Sequence, residues 1–384
     1  VPTPEALAEA KKIFSILVKP VSWACNLKCT YCFYHITEAL YPKHHVMDAA
    51  TLERMTRDLQ AIGNPTASYG WQGGEPLIAG REFFHLAFRM QEKHRRPGQV
   101  IANAVQTNAT LIDEAWARLF ARNRVLLGVS LDGPQKIHDH YRGAGTHERV
   151  MKAIKTLNEN RVEYNILTVL NDKNVGMGRK LYAYLRDQGF KWLQFIPIVE
   201  PQEDGSPAPF SVTGDQYANF LLDVFDEWKK NDVGKISVRC FDSMVLHAGG
   251  QRGLLCIHDG TCDGYVVVEH NGDVYPCDFF VRKEWKIGNL NDVSDGENAY
   301  VKMMESDVVH RFRAGRKLNE CADCEYAAIC EGGCQKDRLV RWGAFGGGLD
   351  KRSVLCPAYK KFYKATFAWF KEQADKLGIK PQTK

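Results

Sequence analysis

Apolar and polar positions in the first part of the chain follow two periods in turn. Short runs rich in apolar and β-branched residues, at 13–18, 68–71, 100–106, 125–131, 162–169 and 192–198, predict strands. Between them, apolar residues recur at helical spacing over 49–62, 81–94, 113–122, 147–160 and 175–188, and again over 214–229. Gly189 stands where a helix C-terminal glycine belongs. Six β/α units in a row predict a parallel sheet with crossover helices. Eight units close a full barrel, so six predict an α/β fold with a partial (β/α)6 TIM-type barrel. The active site is then expected at the strand C-terminal ends, where the βα loops gather.

The pattern changes near residue 200. The stretch 201–209 is rich in Pro, Gly, Ser and Asp and predicts a loop. After Lys235 the alternation stops, and the run 265–269 leads into Asn271-Gly272, a hairpin signal. A last amphipathic stretch, about 358–376, predicts a helix that packs back on the barrel. The expected organisation is a helical extension over 1–12, with Thr3 as cap and Pro4 at the first helical position, a barrel over 13–234, a small cysteine-bearing domain over 235–363, and a helix and tail over 364–384.

Charge changes this picture little. The 384 residues carry a net charge of +5, and no basic block is dense enough to predict a nucleic-acid partner. No apolar run reaches the roughly 18–20 residues that a membrane span needs. The N-terminal stretch lacks the charged-then-apolar pattern of a signal peptide, and the cytoplasm is the expected location.

The 12 cysteines change the picture most. They are clustered in a long chain, which favours metal ligands in a reducing compartment over disulfides. Cys25, Cys29 and Cys32 form a C-x3-C-x2-C loop directly after the first predicted strand. Iron–sulfur clusters are normally held by four thiolates. Three leave one iron open for another ligand. A zinc site is the competing reading, with His35 as a fourth ligand. Loop, spacing and position resemble the radical S-adenosylmethionine superfamily. The resemblance implies that the amino and carboxylate groups of that cofactor chelate the open iron. An electron from the cluster then cleaves the cofactor to a 5′-deoxyadenosyl radical and methionine. It further implies that Gly73, Gly74 and Glu75, after the second strand, receive the cofactor's ammonium group. Ser130 and Arg142, at and beyond the fourth strand, would be cofactor contacts too. An Arg can pair bidentately with a carboxylate.

A second set comprises Cys256, Cys262, Cys277, Cys321, Cys324, Cys330, Cys334 and Cys356. Eight thiolates are the number for two fully ligated four-iron clusters, or for two zinc sites. Spacing alone allows Cys321, Cys324, Cys330 and Cys334 to act together. The C-x2-C-x5-C-x3-C run with a late cysteine resembles the SPASM domain of peptide-modifying radical enzymes. That resemblance implies an interleaved assignment: Cys256, Cys262, Cys277 and Cys334 for one cluster, and Cys321, Cys324, Cys330 and Cys356 for the other. With the first loop, the total is three [4Fe-4S] clusters. Cys240 is left over, and a buried free thiol is its expected role.

Three segments narrow the resemblance. They are Cys29-Thr30-Tyr31-Cys32-Phe33-Tyr34-His35, Trp71-Gln72-Gly73-Gly74-Glu75-Pro76, and the stretch from Asn271 through Cys277-Asp278 to Val281. Together they resemble the anaerobic sulfatase-maturating enzymes, over residues 12–363. The implied reaction oxidises a Cys or Ser in a Cys/Ser-x-Pro-x-Arg motif of a sulfatase to Cα-formylglycine. A reduced flavodoxin or ferredoxin is the implied electron donor. The implied roles are Asp278 as proton acceptor beside an auxiliary cluster, and Tyr34 and Gln72 as contacts to the target residue. A carboxylate held nearby can accept such a proton. Two rivals remain. One is another peptide-modifying enzyme of the same architecture, forming thioethers, epimers or carbon–carbon crosslinks. The other is a non-enzymatic electron carrier or zinc module.

Overall fold

The computed structural model describes Ala8 and residues 15–43, 45–258 and 260–381. The helical extension expected over 1–12, with its Thr3 cap, lies outside the described residues apart from Ala8. In chain order the strands are β1 Ser15–Lys19, β2 Thr66–Trp71, β3 Val100–Thr107, β4 Leu126–Ser130, β5 Tyr164–Leu170, β6 Trp192–Pro197, β7 Ser237–Val238, β8 Tyr265–Glu269, β9 Asp273–Tyr275 and β10 Gly288–Asn289. The helices of eight or more residues are α1 Ala49–Ala61, α2 Arg81–His94, α3 Glu114–Arg122, α4 Gln135–Arg142, α5 Thr146–Glu159, α6 Gly178–Asp187, α7 Gly214–Asn231, α8 Arg239–Ala248, α9 Asp307–Ala314 and α10 Cys356–Lys376.

These elements fall into two units woven from distant segments. One comprises Val1–Val129, Arg142–Tyr164 and Asp263–Arg313; the other comprises Ser130–Tyr141, Asn165–Cys262 and Ala314–Lys384. Neither follows the boundary expected at residue 235. The reason lies in β8, which pairs in parallel with β1 from Ser15↔Tyr265 to Lys19↔Glu269. Through this pairing β8, and the hairpin that it starts, joins the sheet of the first unit.

In the first unit β1, β2, β3 and β4 pair in parallel in that order. On the other side of β1, the pair β8–β9 is the hairpin that Asn271-Gly272 predicts, and β10 adds antiparallel to β9. The helices start where the sequence supplies caps. Asp48 accepts from Thr51 N–H at 2.7 Å to open α1, and Asp113 accepts from Trp116 N–H at 2.9 Å to open α3.

In the second unit β5, β6 and β7 are parallel. Thr213 and Gln216 form a reciprocal capping box at the start of α7. Two elements differ from expectation. Helix α4 follows β4 almost at once, although its eight residues carry too few apolar positions to show a stripe. Strand β7 with α8 adds a rudimentary seventh β/α unit, because two residues are too few to leave a periodic trace. The expected terminal helix, α10, packs on α7 and α8 through an aromatic core. Phe225 sits there with its ring 5.2–6.2 Å from those of Trp228, Phe241, Phe362, Trp369 and Phe370. Phe225→Ala is expected to cost about 3–5 kcal/mol, read as a lower denaturant midpoint.

Candidate active site

Cys25, Cys29 and Cys32 lie on the loop that leaves β1, and all three thiols are half-buried. The loop is fixed by donors aimed at it. Leu27 N–H lies 3.3 Å, and Asn108 Nδ2 3.7 Å, from Cys25 Sγ. Asn108 Nδ2 also donates to Asn26 Oδ1 at 2.9 Å, so the end of β3 holds the loop. Burial pushes the Cys25 thiol up to about 11, and the Leu27 N–H draws it back. Such a thiol becomes a thiolate against the charge of a metal.

The next loop presses directly on this one. Gly74 N–H donates to the Ser22 carbonyl at 2.7 Å and Glu75 N–H to the Ala24 carbonyl at 2.8 Å. A Cβ on Gly74 would lie 2.0 Å from the Ala24 oxygen, and one on Gly73 would lie 2.7 Å from the Ser22 oxygen. The close approach that these glycines permit within the chain is between two backbone segments. Glu75 is anchored between the same loops. Its side chain is fully buried, and it accepts from Leu77 N–H at 3.1 Å, Thr107 Oγ1 at 2.9 Å and Asn108 N–H at 2.8 Å. Burial raises its carboxyl to about 7, and these three donors oppose the shift. Glu75 thus orders the β2 and β3 loop ends through their backbone. The Arg142 guanidinium lies 5.5 Å from the Tyr31 ring centroid, so it reaches the cysteine loop. Ser130 ends β4 and belongs to the second unit.

A second group gathers around the β1–β8 pair. Lys19 is fully buried, with Nζ 3.1 Å from Gln72 Oε1 and 4.4 Å from the Tyr34 ring centroid. The Tyr34 hydroxyl donates to Glu269 Oε1. Burial pulls the Lys19 ammonium down, and Asp278, Glu269, Cys277 and Cys32 push it back up. Asp278 Oδ1 lies 3.5 Å from Cys277 Sγ, with the Tyr265 hydroxyl 3.4 Å from that oxygen and 3.2 Å from that sulfur. The structure therefore brings the expected residues Tyr34, Gln72 and Asp278 into one neighbourhood. It adds Lys19 and Glu269, which sequence reasoning missed. The one available signal was a lysine closing an apolar strand.

The C-terminal thiols separate into groups. Cys321, Cys324, Cys330 and Cys356 line one cavity, partly open to solvent, with Arg352 and Lys360 at its wall. Cys334 is not among its lining. Burial pushes that thiol up, and Asp337, Cys256 and Cys262 push it further, which places Cys256 and Cys262 within its electrostatic reach. The backbone explains the division. Glu331, Gly332 and Gly333 are left-handed in succession, at φ 50°, 77° and 68°, and turn the chain between Cys330 and Cys334. Cys277 belongs to the other unit. Four thiols spaced around a cavity suit the corners of a cluster better than the single centre that zinc requires. Burial pushes the leftover Cys240 thiol up to about 12.

Known proteins match this arrangement throughout. Residues 20–185 match the Radical SAM superfamily, and residues 260–325 match an iron–sulfur cluster-binding domain, SPASM. A cysteine-type anaerobic sulfatase-maturating enzyme of Clostridium perfringens is 35% identical over 364 residues, covering 92% of this chain and 96% of that one. A serine-type relative of Bacteroides thetaiotaomicron is 35% identical over 379 residues, covering 92% and 89%. The chain belongs to the anaerobic sulfatase-maturating enzymes. A solved structure of native anSMEcpe with bound AdoMet and Cp18Cys peptide superimposes with TM-score 0.84 at 34% identity, over 95% of this chain and 99% of that one. Streptococcus suis SuiB, at TM-score 0.64 and 18% identity, shares the fold alone.

This member of the family is accordingly a radical S-adenosylmethionine enzyme with [4Fe-4S] clusters, built on the partial barrel and SPASM architecture that the sequence predicts. The closeness of the two N-terminal loops supplies a test. Gly74→Ala is expected to displace the cysteine loop while leaving the C-terminal thiols intact. Iron per chain should fall by about one third, the share of one cluster in three, measured on anaerobically reconstituted protein.

Proposed function

We propose that this chain oxidises a Cys or Ser in a Cys/Ser-x-Pro-x-Arg segment of a sulfatase to Cα-formylglycine. The observation that carries the reading is the Asp278 carboxylate held 3.5 Å from the Cys277 thiol, beside Tyr34, Gln72 and Lys19. It is supported by identity to both cysteine-type and serine-type maturating enzymes over 92% of the chain.

S-adenosylmethionine, when bound at the Cys25–Cys29–Cys32 loop, supplies the removal of one hydrogen atom from the substrate Cβ. The chain's own residues do the rest. The substrate thiol or hydroxyl must also lose a proton, and Asp278 accepts it. One electron must leave the same carbon, and the C-terminal cysteines hold the acceptors. Cys256, Cys262 and Cys334 form one set, with Cys277 assigned as its fourth thiolate by resemblance alone. Cys321, Cys324, Cys330 and Cys356 form the other. Serine then yields the aldehyde directly. Cysteine yields a thioaldehyde, which water converts to the aldehyde with release of hydrogen sulfide.

Positioning falls to the buried group. Lys19 Nζ takes the Gln72 amide oxygen, which leaves the amide NH2 as the donor for substrate. Glu269 holds the Tyr34 hydroxyl, so Tyr34 presents a fixed ring edge to the peptide. Ser130 and Arg142 are assigned to the cofactor. Reduced flavodoxin or ferredoxin supplies the electron that starts each cycle. Thiolates that serve as cluster ligands suit a reducing compartment. Among the described residues no helix is long and apolar enough to cross a membrane.

The test is anaerobic incubation of reconstituted enzyme with S-adenosylmethionine, reductant and a short Cys-x-Pro-x-Arg peptide, followed by mass analysis. Oxygen in place of sulfur on the target residue, with 5′-deoxyadenosine released, is the expected result. A product that loses hydrogen but keeps sulfur would indicate a crosslink or a stalled thioaldehyde. Asp278→Asn should retain its iron and lower aldehyde formation about 100-fold or more, in line with the loss of a general base. Normal turnover by that variant would remove Asp278 from the reaction.

A further inference from the structure

Two arginines of the second unit are buried without an ion-pair partner among the described residues; Asp337, within electrostatic reach of Arg338, is itself paired with Lys336 at 3.7 Å. Arg316 is 1% exposed and Arg338 is fully buried. Among the described residues neither pairs with a carboxylate. Their partners are backbone carbonyls. Arg338 Nη1 donates to Gly315 at 2.7 Å and Leu349 at 3.1 Å, and its Nη2 donates to Arg316 at 3.0 Å and Gly332 at 3.2 Å. Arg316 Nη2 donates to Ile257 at 2.6 Å. Arg338 Nε, Arg316 Nε and Arg316 Nη1 are buried with no hydrogen-bond partner. Two adjacent guanidiniums in this state are costly, since a buried charge requires an opposite one.

Their surroundings are cysteines. Arg338 acts electrostatically on Cys334, Cys321 and Cys262, members of both cysteine sets. Arg316 acts on Cys330 and lies against the carbonyl next to Cys256. The two positive charges and their idle N–H groups thus lie within electrostatic reach of both groups of thiols, with Arg338 bonded to Gly332 in the wall of the cysteine cavity and Arg316 to the carbonyl of Ile257.

We infer that Arg316 and Arg338 are the shared counter-charge of the two auxiliary clusters, and that they raise the reduction potentials of both. A four-thiolate cluster is anionic and gains one more negative charge on reduction. Net charge and hydrogen bonds to its sulfurs are the protein's main means of setting its potential. A fixed cation beside it favours the reduced form. That bias serves the proposed reaction, in which these clusters take one electron from the substrate carbon. The inference rests on the reading of the eight cysteines as cluster ligands.

The experiment is a redox titration, followed by electron paramagnetic resonance, of full-length protein whose Cys25, Cys29 and Cys32 are replaced by Ala. Only the auxiliary clusters then report. Iron content is measured first. Zinc without iron in this parent protein would sink the cluster reading and this inference together. With iron in place, Arg316→Gln and Arg338→Met are expected to shift the midpoint potentials to more negative values. Arg316→Lys and Arg338→Lys should stay near the parent. Potentials unmoved in the neutral variants, or moved equally by lysine, would overturn the assignment. If Arg338→Met fails to retain iron, Arg316→Gln decides by the same rule, since its side chain gives up a single carbonyl bond. Iron lost in both and restored by lysine supports the charge role; iron not restored by lysine overturns it.

Discussion

The parallel pairing of β1 with β8 is the constraint on which the site depends. It joins two stretches some 250 residues apart, register by register, from Ser15↔Tyr265 to Lys19↔Glu269. The cysteine loop leaves the end of β1, and the hairpin that leads to Cys277 and Asp278 leaves the end of β8. Both therefore start from neighbouring points on one rigid edge. The segment after the cysteine loop then closes on the hairpin. The Tyr41 hydroxyl lies 2.9 Å from Asp273 Oδ2 and 2.7 Å from the Tyr275 hydroxyl, and the Phe33 ring packs 4.6 Å from that of Phe279. Radical chemistry demands such fixity, since reacting groups must be held at short range for orientation to lower the barrier.

Charge in this region is buried and shared. Lys19, Glu269 and Asp278 are all removed from solvent, with exposures of 0%, 0% and 9%. Lys19 lies within reach of both carboxylates, as well as of Cys277 and Cys32. An ammonium so placed offsets acids and thiolates that would otherwise repel one another, which makes the group stable as an ensemble and costly to break singly. The two buried arginines of the second unit follow the same physical rule, with sulfur ligands in place of carboxylates.

Much of this was legible in the chain. The six β/α units came from periodicity, and the capping residues Asp48, Asp113 and Thr213 stand where helices begin. The Asn271-Gly272 turn closes the hairpin as read. The division into units was not legible, because strand pairing between distant segments leaves no local trace. In the site, Tyr34, Gln72 and Asp278 were named from motif resemblance. Lys19 and Glu269 were missed because burial, which gives them their importance, is a tertiary property. Glu75 was named from the motif, but a Gly-Gly-Glu string does not reveal that its carboxylate also turns inward to Leu77, Thr107 and Asn108. Spacing left the grouping of Cys334 open, and only the backbone shows the turn that separates it from Cys330.

That turn has a wider meaning. Three left-handed residues in a row occupy a loop between cysteines of different groups, and two of the three are glycines. An insertion, a deletion or a bulky replacement there would misdirect thiols on both sides at once. The geometry of Cys330 in one group and of Cys334 in the other is therefore set by the same few residues of backbone.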